Sequence, residues 1–459
     1  MLYRIIILLF SGLLLSMLTS CSEDINNPDP PSPVDPAEKY SGGGTTTFIF
    51  SSQAFSNPAA NLVNTSLSKH LVGDLNFEQS FVKAPAPLNS GLGPFFNNVS
   101  CFNCHIADGR GRPPLGNEAL ETMLIRISID GTGTNGGPNP VPGFGGQLQD
   151  KSIFGYEPEG NVIISYTEII GNYPDGNTYS LRKPTYQLAG QVPSGVNISP
   201  RVAPFVFGLG LLEAISETDI LANSDELDSD GNGISGKPNY VYDDRDQTTK
   251  LGRFGWKANQ PNLYQQSAAA YVNDIGITNP LYQLENCHNN AVCDTLSDDP
   301  EISNEILESV EFYVQTLAVP GRRNFDKADV IAGKELFISI GCGNCHTPEF
   351  TTGTHPVSEL SDQRIFPYTD LLLHDLGDEL ADNRTDFRAN GNEWRTPPLW
   401  GIGLVSVVNG HTNFLHDGRA RNIEEAILWH GGEAEQSKNN FMQLNISDRN
   451  RLLVFLNSL

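Results

Sequence analysis

Two short motifs in this sequence combine a pair of cysteines with a histidine. They read Cys101-Phe-Asn-Cys104-His105 and Cys342-Gly-Asn-Cys345-His346. At this spacing two thiols can bond both vinyl groups of one haem, while the histidine that follows ligates the iron as the proximal ligand. One such motif alone could equally be a zinc knuckle or a redox dithiol. Two motifs in a chain with an export signal predict two covalently bound haem c groups.

The first 20 residues have the composition of an export signal. Arg4 is followed by an apolar run from Ile5 to Leu18, which is short for a membrane span and typical of a secretory signal. Leu18-Thr19-Ser20-Cys21 is similar to a bacterial lipobox, so we expect Cys21 to carry lipid; an ordinary signal with an incidental cysteine is the alternative. We therefore expect a lipoprotein held on a bacterial membrane, namely the outer membrane facing the periplasm.

Residues 21–47 are rich in proline and contain three consecutive glycines, which predicts a flexible stalk. The net charge of the chain is −25 and no basic cluster stands out, which argues against nucleic acid as a partner. Cys287 and Cys293 lack the haem spacing and lie in a polar stretch. In an oxidising compartment we expect these two cysteines to form a disulfide.

The sequence repeats itself around the two motifs. The pattern Pro-x-x-x-Gly-[Leu/Ile]-Gly-Leu occurs at 204–211 and again at 397–404. Residues 254–263 can then be aligned with 414–423, which places Trp256 opposite His416. The repeat predicts two haem domains, 48–320 with insertions and 321–459.

The repeat also predicts that the two haems differ in their sixth ligand. His430 lies fourteen residues after His416, and the matching position in the first half is Ala270. Because alanine cannot bind iron, we expect His346 and His430 to close the second haem and the first haem to stay open opposite His105. Four residues after Ala270, Asp274 is a candidate acid–base group, with an ordinary surface or capping aspartate as the alternative.

Several longer motifs are similar to those of one protein family. They are Asp108-Gly-Arg-Gly-Arg-Pro-Pro, Ser199-Pro-Arg-Val-Ala-Pro, Leu251-Gly-Arg-Phe-Gly-Trp, Tyr368-Thr-Asp-Leu-Leu-Leu-His-Asp and Asn409-Gly-His-Thr-Asn-Phe-Leu-His-Asp-Gly-Arg. In this order they resemble the bacterial di-haem cytochrome c peroxidase and MauG superfamily, most closely its di-haem oxidoreductase branch, often labelled thiol oxidoreductase. The resemblance extends from about Phe81 to Leu459.

The resemblance implies roles for particular residues. It makes the N-terminal haem peroxidatic and the C-terminal haem the entry point for electrons, with Trp256 between them. Asp274-Ile275-Gly276 looks like the catalytic Glu-Met-Gly triplet of the family with a shorter carboxylate. His430 stands where the peroxidases have a methionine ligand, and this replacement should lower the potential of the second haem.

The first half of an EF-hand calcium loop is matched by residues 228–236. The expected ligands are Asp228, Asp230, Asn232 and the backbone of Ile234, but Asn239 stands at the twelfth position, where a glutamate is usual. A solvated turn is the alternative. We expect His70 and Met123 to be structural. Further candidates near the haems are His374, His411 and His416 for propionate or inter-domain contacts, and Trp394, Trp400 and Trp429 for packing.

Together these patterns predict a mainly α-helical protein with long loops and little β structure. We expect electrons from a small donor protein or a quinol-linked donor to enter at the second haem. They would pass by way of Trp256 and reduce hydrogen peroxide or a related oxidant at the first haem. The alternatives are a pure electron-transfer cytochrome and, in the manner of MauG, an oxidase of protein side chains.

Overall fold

The computed structural model describes residues 34–116, 118–287, 296 and 298–459. Cys21 and the export signal lie outside the described residues. Cys287 is disulfide-bonded, but its predicted partner Cys293 also lies outside them, so this pairing stays a prediction. In the described part of the chain no helix is long and apolar enough to cross a membrane.

The helices are mostly short. They are α1 Asn64–Glu78, α2 Cys101–Cys104, α3 Leu209–Glu213, α4 Glu217–Leu221, α5 Leu263–Ala270, α6 Asn304–Thr316, α7 Ala328–Ser339, α8 Val405–Asn409, α9 Ile423–Leu428, α10 Glu435–Gln443 and α11 Ile446–Ser458. A π-helix, Tyr271–Ile275, directly continues α5. Short 3₁₀ helices cover Pro36–Lys39, Gly43–Thr45, Ile106–Asp108, Thr134–Gly136, Cys342–Asn344, Ser358–Leu360, Ile402–Leu404 and Gly432–Ala434.

The described residues also form many strands, most of which are short. They are β1 Phe95–Phe96, β2 Met123–Thr132, β3 Pro138–Asn139, β4 Gln147–Leu148, β5 Lys151–Ser152, β6 Gly160–Asn172, β7 Thr178–Gly190, β8 Asn197–Val202, β9 Tyr240–Asp243, β10 Thr248–Leu251, β11 Phe350–Thr351, β12 Arg364–Ile365, β13 Leu373–Asp375 and β14 Glu393–Arg395. β2 pairs with β3, β4 and β8, and the other strands form two-stranded antiparallel sheets.

The prediction of a mainly α protein with little β structure is therefore wrong, since about 30% of the chain is helical and 20% is strand. The physical reason lies in residues 123–202. Met123, Ile125 and Ile127 alternate with polar or half-buried residues, which is the period of a strand with one buried face. This alternation is present in the sequence and favours β structure over helix.

The longest sheet is the hairpin of β6 and β7, whose strands pair over their full length from Gly160 with Gly190 to Asn172 with Thr178. Asp175-Gly176 lies in its turn, where Gly176 has a φ of +87° that favours glycine. The hairpin lies across the second half of the chain. Tyr186 donates a hydrogen bond to Asp417 at 2.7 Å, and Tyr173 donates one to Glu424 at 2.8 Å.

Two helix pairs support the two cysteine motifs. α1 packs on α6 and α7 packs on α11. At each crossing a glycine permits close approach: a Cβ on Gly73 would overlap the Ser309 carbonyl oxygen, and one on Gly333 would overlap that of Arg451. A close contact between a glycine and the backbone of the partner helix therefore occurs in both halves of the sequence repeat. The domain boundaries at 48, 320 and 321 stay predictions.

The end of the predicted stalk packs against the fold. Glu38 is buried and forms ion pairs with Arg322 and Lys334, and the Thr47 amide donates a hydrogen bond to the Val319 carbonyl at 3.1 Å. Both charged partners belong to the second half of the chain. Residues from Pro36 onwards are thus fixed by tertiary contacts that local composition does not reveal.

Candidate functional site

Both cysteine motifs open into one large cavity. Cys101, Cys104 and His105 line it together with Cys342, Cys345 and His346. The cavity contains about 3060 Å³ of space that protein atoms do not fill, part of it continuous with solvent. All four motif cysteines are free thiols, and burial raises the pKa of Cys101, Cys104 and Cys342 to about 12. None of the four thiols is paired with another.

The first motif is held by a short capped helix. Ser100 caps α2 by accepting a hydrogen bond from the Asn103 amide at 3.2 Å. His105 follows α2, and its Nδ1 donates to the Pro204 carbonyl at 2.8 Å, which leaves the Nε2 lone pair available as a metal ligand. Burial lowers the pKa of His105 to about 4, so the ring is neutral at physiological pH, as ligation requires.

The histidine of the second motif is held in the same way, and an additional histidine lies in the cavity. His346 Nδ1 donates to the Tyr368 carbonyl at 3.0 Å, and burial lowers the pKa of His346 to about 4. His430 lines the same cavity, and its Nδ1 donates to the Ala426 carbonyl at 2.7 Å. Burial also lowers the pKa of His430. Both rings are neutral and both keep Nε2 free, which are the requirements for two axial iron ligands.

The structure supports the proposed correspondence between Ala270 and His430. Phe254 bridges to Gln260 in the first half and Phe414 bridges to Ala420 in the second. Each bridge is followed by a helix capped by an asparagine: Asn262 accepts from the Gln265 amide, and Asn422 accepts from the Glu425 amide, both at 2.8 Å. These helices, α5 and α9, lead to Ala270 and His430, which both line the cavity.

Asp274 lies on the side of the cavity formed by the first motif. It belongs to the π-helix that continues α5, and its charge acts on the thiols of Cys101 and Cys104. Gln147 Nε2 donates to Asp274 Oδ1 at 2.9 Å. Burial raises the pKa of Asp274, while the cation of Arg126 and the Gln147 hydrogen bond act in the opposite direction. A buried carboxyl that keeps its proton more readily than usual suits acid–base work.

Arg126 is a residue of the cavity that sequence reasoning missed. It lies on β2, on the opposite face from the buried Ile125 and Ile127, and lines the cavity. The alternation of β2 places Arg126 on that face, but only the tertiary fold shows that Asp274 lies near it. Arg110, Arg201 and Arg395 also line the cavity. Guanidinium groups pair well with carboxylates such as the propionates of a haem.

Trp256 is buried and lines the cavity. Its Nε1 donates to the Val202 carbonyl at 2.9 Å, and the guanidinium of Arg110 lies 5.1 Å from its ring centroid. The Val202 amide in turn donates to the His416 carbonyl at 2.8 Å. Val202 therefore joins Trp256 to His416, the two residues that the sequence repeat aligns.

His416 stacks on Trp394 with ring centroids 3.8 Å apart and an interplanar angle of 11°. Both rings line the cavity, whereas Trp400 and Trp429 are packed in hydrophobic cores and do not line it. The prediction of haem packing therefore fits Trp394 but not the other two tryptophans. Their indole nitrogens lack partners among the described residues.

Three further histidines have protein partners. His374 lines the cavity between Asp370 and Glu433, at 2.8 and 2.7 Å, and these two carboxylates raise its pKa well above the usual range despite burial. His411 Nε2 donates to the Arg110 carbonyl at 3.0 Å. His70 is buried and is hydrogen-bonded to Thr316 Oγ1 at 2.8 Å, as expected for a structural residue.

The predicted calcium loop brings two of its expected ligands together. The carboxylates of Asp228 and Asp230 lie within 4.8 Å of each other and of Asp225, which the loop pattern does not include. The other two candidates make local turn contacts: Asn232 Oδ1 accepts from the Ile234 amide at 2.7 Å. Asp228 has a φ of +49°, and its amide donates a hydrogen bond to the Asp225 carbonyl at 2.8 Å. Calcium binding stays a prediction.

The comparisons with known proteins agree with this geometry. The family model described as di-haem oxidoreductase, putative peroxidase matches residues 36–459, which include both cysteine motifs, Asp274 and His430. The chain belongs to this family of di-haem oxidoreductases. No curated protein matches the sequence significantly. The family implies two haem cofactors, and the shared cavity with its two proximal histidines, four free thiols and lining arginines fits them.

Proposed function

We propose that this chain is a di-haem c-type peroxidase that reduces hydrogen peroxide at its N-terminal haem, with electrons supplied from its C-terminal haem. In this proposal the two haems are attached covalently through Cys101 and Cys104 and through Cys342 and Cys345. The observation that carries the proposal is the difference between Ala270 and His430 at the ends of two matched, asparagine-capped helices that line one cavity.

The bound haems would supply the electron storage and the iron site at which peroxide is reduced. His105 would hold the N-terminal haem and His346 with His430 the C-terminal haem. The small side chain of Ala270 would leave room for a small oxidant at the N-terminal haem, whereas His430 would occupy the matching position at the C-terminal haem. An open site is needed for peroxide to bind, and a closed site suits electron transfer.

Asp274 is the proposed acid–base residue. Its pKa is raised by burial, so its carboxyl retains a proton nearer to neutral pH than an exposed aspartate does. Gln147 orients this carboxyl through its hydrogen bond, and the Asp274 carbonyl accepts from the amides of Asn97 and Asn98 at 2.8 and 3.0 Å. Asp274 can thus move a proton between peroxide oxygens from a fixed position.

Trp256 is the proposed intermediate in electron transfer between the two haems. It is buried, lines the shared cavity, and is fixed through Val202 to the segment that carries His416. Electrons would come from a small donor protein or a quinol-linked donor. We further propose that Cys21 is lipidated, so that the protein is anchored to the outer membrane facing the periplasm, and that the loop of Asp228 and Asp230 binds calcium.

The proposal is tested by titrating the holoprotein with hydrogen peroxide while the haem absorption and the electron paramagnetic resonance spectrum are recorded. One haem should be high-spin in the resting or half-reduced state and should respond to peroxide. In Asp274→Asn the peroxide reaction should slow by about 10²–10⁴-fold, the usual contribution of general acid–base catalysis. Asp150→Asn is the matched control, because Asp150 is also a largely buried carboxyl beside Asn97 but does not line the cavity.

Two outcomes would contradict the proposal. An unchanged rate in Asp274→Asn would reject the acid–base assignment. Two low-spin haems that stay unperturbed by peroxide after partial reduction would reject peroxidase activity and favour a pure electron-transfer cytochrome.

A further inference from the structure

An aromatic ladder lies beside the proximal histidine of the first motif. The ring of Phe77, on α1, is 6.3 Å from that of His105, centroid to centroid, with an interplanar angle of 51°. Tyr313, on α6, is 5.1 Å from Phe77 at 45°. All three rings therefore follow one another in a row from the proximal ligand into the core formed by α1 and α6.

The second motif has the same ladder. Phe337, on α7, is 6.1 Å from His346 at 54°, and Phe455, on α11, is 5.2 Å from Phe337 at 56°. The distances in the two halves agree within 0.2 Å and the angles within 11°. Tyr313 and Phe455 are therefore structural counterparts, and they differ by one hydroxyl group.

This hydroxyl is buried with a carboxylate. Tyr313 is 2% exposed and donates a hydrogen bond to Asp108 Oδ1 at 2.8 Å, and Asp108 is 3% exposed. Asp74, on α1, also lies close to the phenol. The fully buried Phe455 shows that this type of helix crossing needs only an aromatic ring at that position. Helix packing therefore does not account for a phenol and a carboxylate in the first half.

A phenol that is oxidised must give up its proton, and a hydrogen-bonded carboxylate is a suitable acceptor. Two other oxidisable side chains, which line the cavity, lack such an acceptor among the described residues. Tyr271 lines the cavity, but its hydroxyl has no partner among the described residues. Trp256 donates to a backbone carbonyl, which does not take up a proton. Of these three side chains, Tyr313 alone has a carboxylate, Asp108, placed to take up its proton when an electron is lost.

We propose that Tyr313 is a redox-active tyrosine that donates one electron to the N-terminal site after that site has been oxidised by hydrogen peroxide. The inference rests on the proposed function. Reduction of peroxide to two water molecules takes two electrons and two protons. Tyr313 supplies one of the electrons, and the other would come from the C-terminal haem, as in the proposed function. The phenolic O–H bond breaks, the proton moves along the existing hydrogen bond to Asp108, and a neutral tyrosyl radical remains. An electron from the physiological donor then reduces the radical, and the proton returns from Asp108.

The test uses the holoprotein mixed with hydrogen peroxide without an electron donor and frozen rapidly for electron paramagnetic resonance. The wild type should give a tyrosyl radical signal whose hyperfine pattern changes when the protein contains ring-deuterated tyrosine. The signal should be lost in Tyr313→Phe, which reproduces the ring found at Phe455, and diminished in Asp108→Asn. Tyr264→Phe is the matched control, because Tyr264 is also buried and hydrogen-bonded, to Asn304 at 2.8 Å, and its signal should equal that of the wild type.

The outcomes separate this inference from the proposed function. A peroxide-dependent change of the haem spectrum without a tyrosyl radical in the wild type would overturn the inference alone. A signal of wild-type size in Tyr313→Phe would also overturn it, and loss of that signal in Tyr271→Phe would reassign the radical. If peroxide changes neither the haem spectrum nor the resonance spectrum of the wild type, both proposals are wrong. An unaltered haem spectrum of untreated Tyr313→Phe shows that the substitution leaves the site intact.

Discussion

The two halves of the molecule share their scaffold and differ in the groups that face the cavity. Each half has a helix pair with a close glycine contact, a proximal histidine oriented by a backbone carbonyl, and an asparagine-capped helix. At the end of that helix the first half has Ala270 and the second has His430. In the proposed function, repetition of the scaffold would position two similar haems, and single side chains at matched positions would give them different chemistry.

We expect the largest effect when the matching position of the first half receives the histidine of the second half. In Ala270→His we expect the new imidazole to close the first haem, so that the peroxide reaction is lost and both haems become low-spin. Peroxide titration with electron paramagnetic resonance measures both effects. Ala270→Gln is the control for added volume without an imidazole and should retain a high-spin haem. Undiminished peroxide reactivity in Ala270→His would show that Ala270 does not face the open side of the first haem.

The reverse substitution should remove the sixth ligand of the second haem. His430 lies two residues beyond the end of α9, so His430→Ala should leave that helix intact while removing the proposed sixth ligand. We expect the second haem to change from low-spin to high-spin, and added imidazole to restore the low-spin spectrum. His430→Met is the matched variant, which should keep the haem closed and raise its potential. A low-spin second haem in His430→Ala without imidazole would identify a different ligand.

The sequence was sufficient to select the candidate residues and to find the repeat. Cysteine spacing and the offset between paired motifs were enough to select His105, His346, His430 and Ala270, and the structure brings all four to one cavity. These four residues can be found from short motifs and from the number of residues between them. The family is confirmed, while the covalent attachment and the roles of these residues stay predictions.

The β structure and the supporting contacts were not predicted. Residues 160–190 show strand alternation around Asp175-Gly176, a hairpin signal that the prediction of a mainly helical fold overlooked. Other contacts could not be predicted from the sequence, because they join residues that are far apart in the chain. Arg126 meets Asp274 only through the pairing of β2, and Glu38 meets Arg322 only through tertiary packing.

The shared scaffold can be tested by filling its two glycine contacts. In Gly73→Ala and in Gly333→Ala the new methyl group would overlap a backbone carbonyl of the partner helix, so each variant should lose about 1–3 kcal/mol of unfolding free energy. Denaturant unfolding of the holoprotein measures this loss. In Gly353→Ala the nearest atom to the new Cβ is 3.5 Å away, and no comparable loss is expected. A loss in only one of the two helix pairs would show that the halves are packed differently.

A further prediction concerns how stability depends on pH at His416, the residue matched with Trp256. Burial lowers the pKa of His416 to about 3, whereas the unfolded chain has a pKa near 6.5, so between these values the unfolded state binds a proton that the folded state excludes. The stability that His416 contributes is therefore complete above pH 6.5 and is lost as the pH falls towards 3, by about 1.4 kcal/mol for each pH unit.

Substitution of His416 separates this effect from the other titrating groups. His416→Phe keeps an aromatic ring for stacking on Trp394 but removes the titration, so its unfolding free energy should decrease less steeply with acid than that of the wild type. Denaturant unfolding at several pH values between 4 and 6.5 measures the two slopes. Equal slopes would mean that folded His416 takes up its proton normally, which would contradict its burial against Trp394. A reduced slope would show that His416 stays neutral in the folded protein, at the position that is matched by Trp256 in the first half.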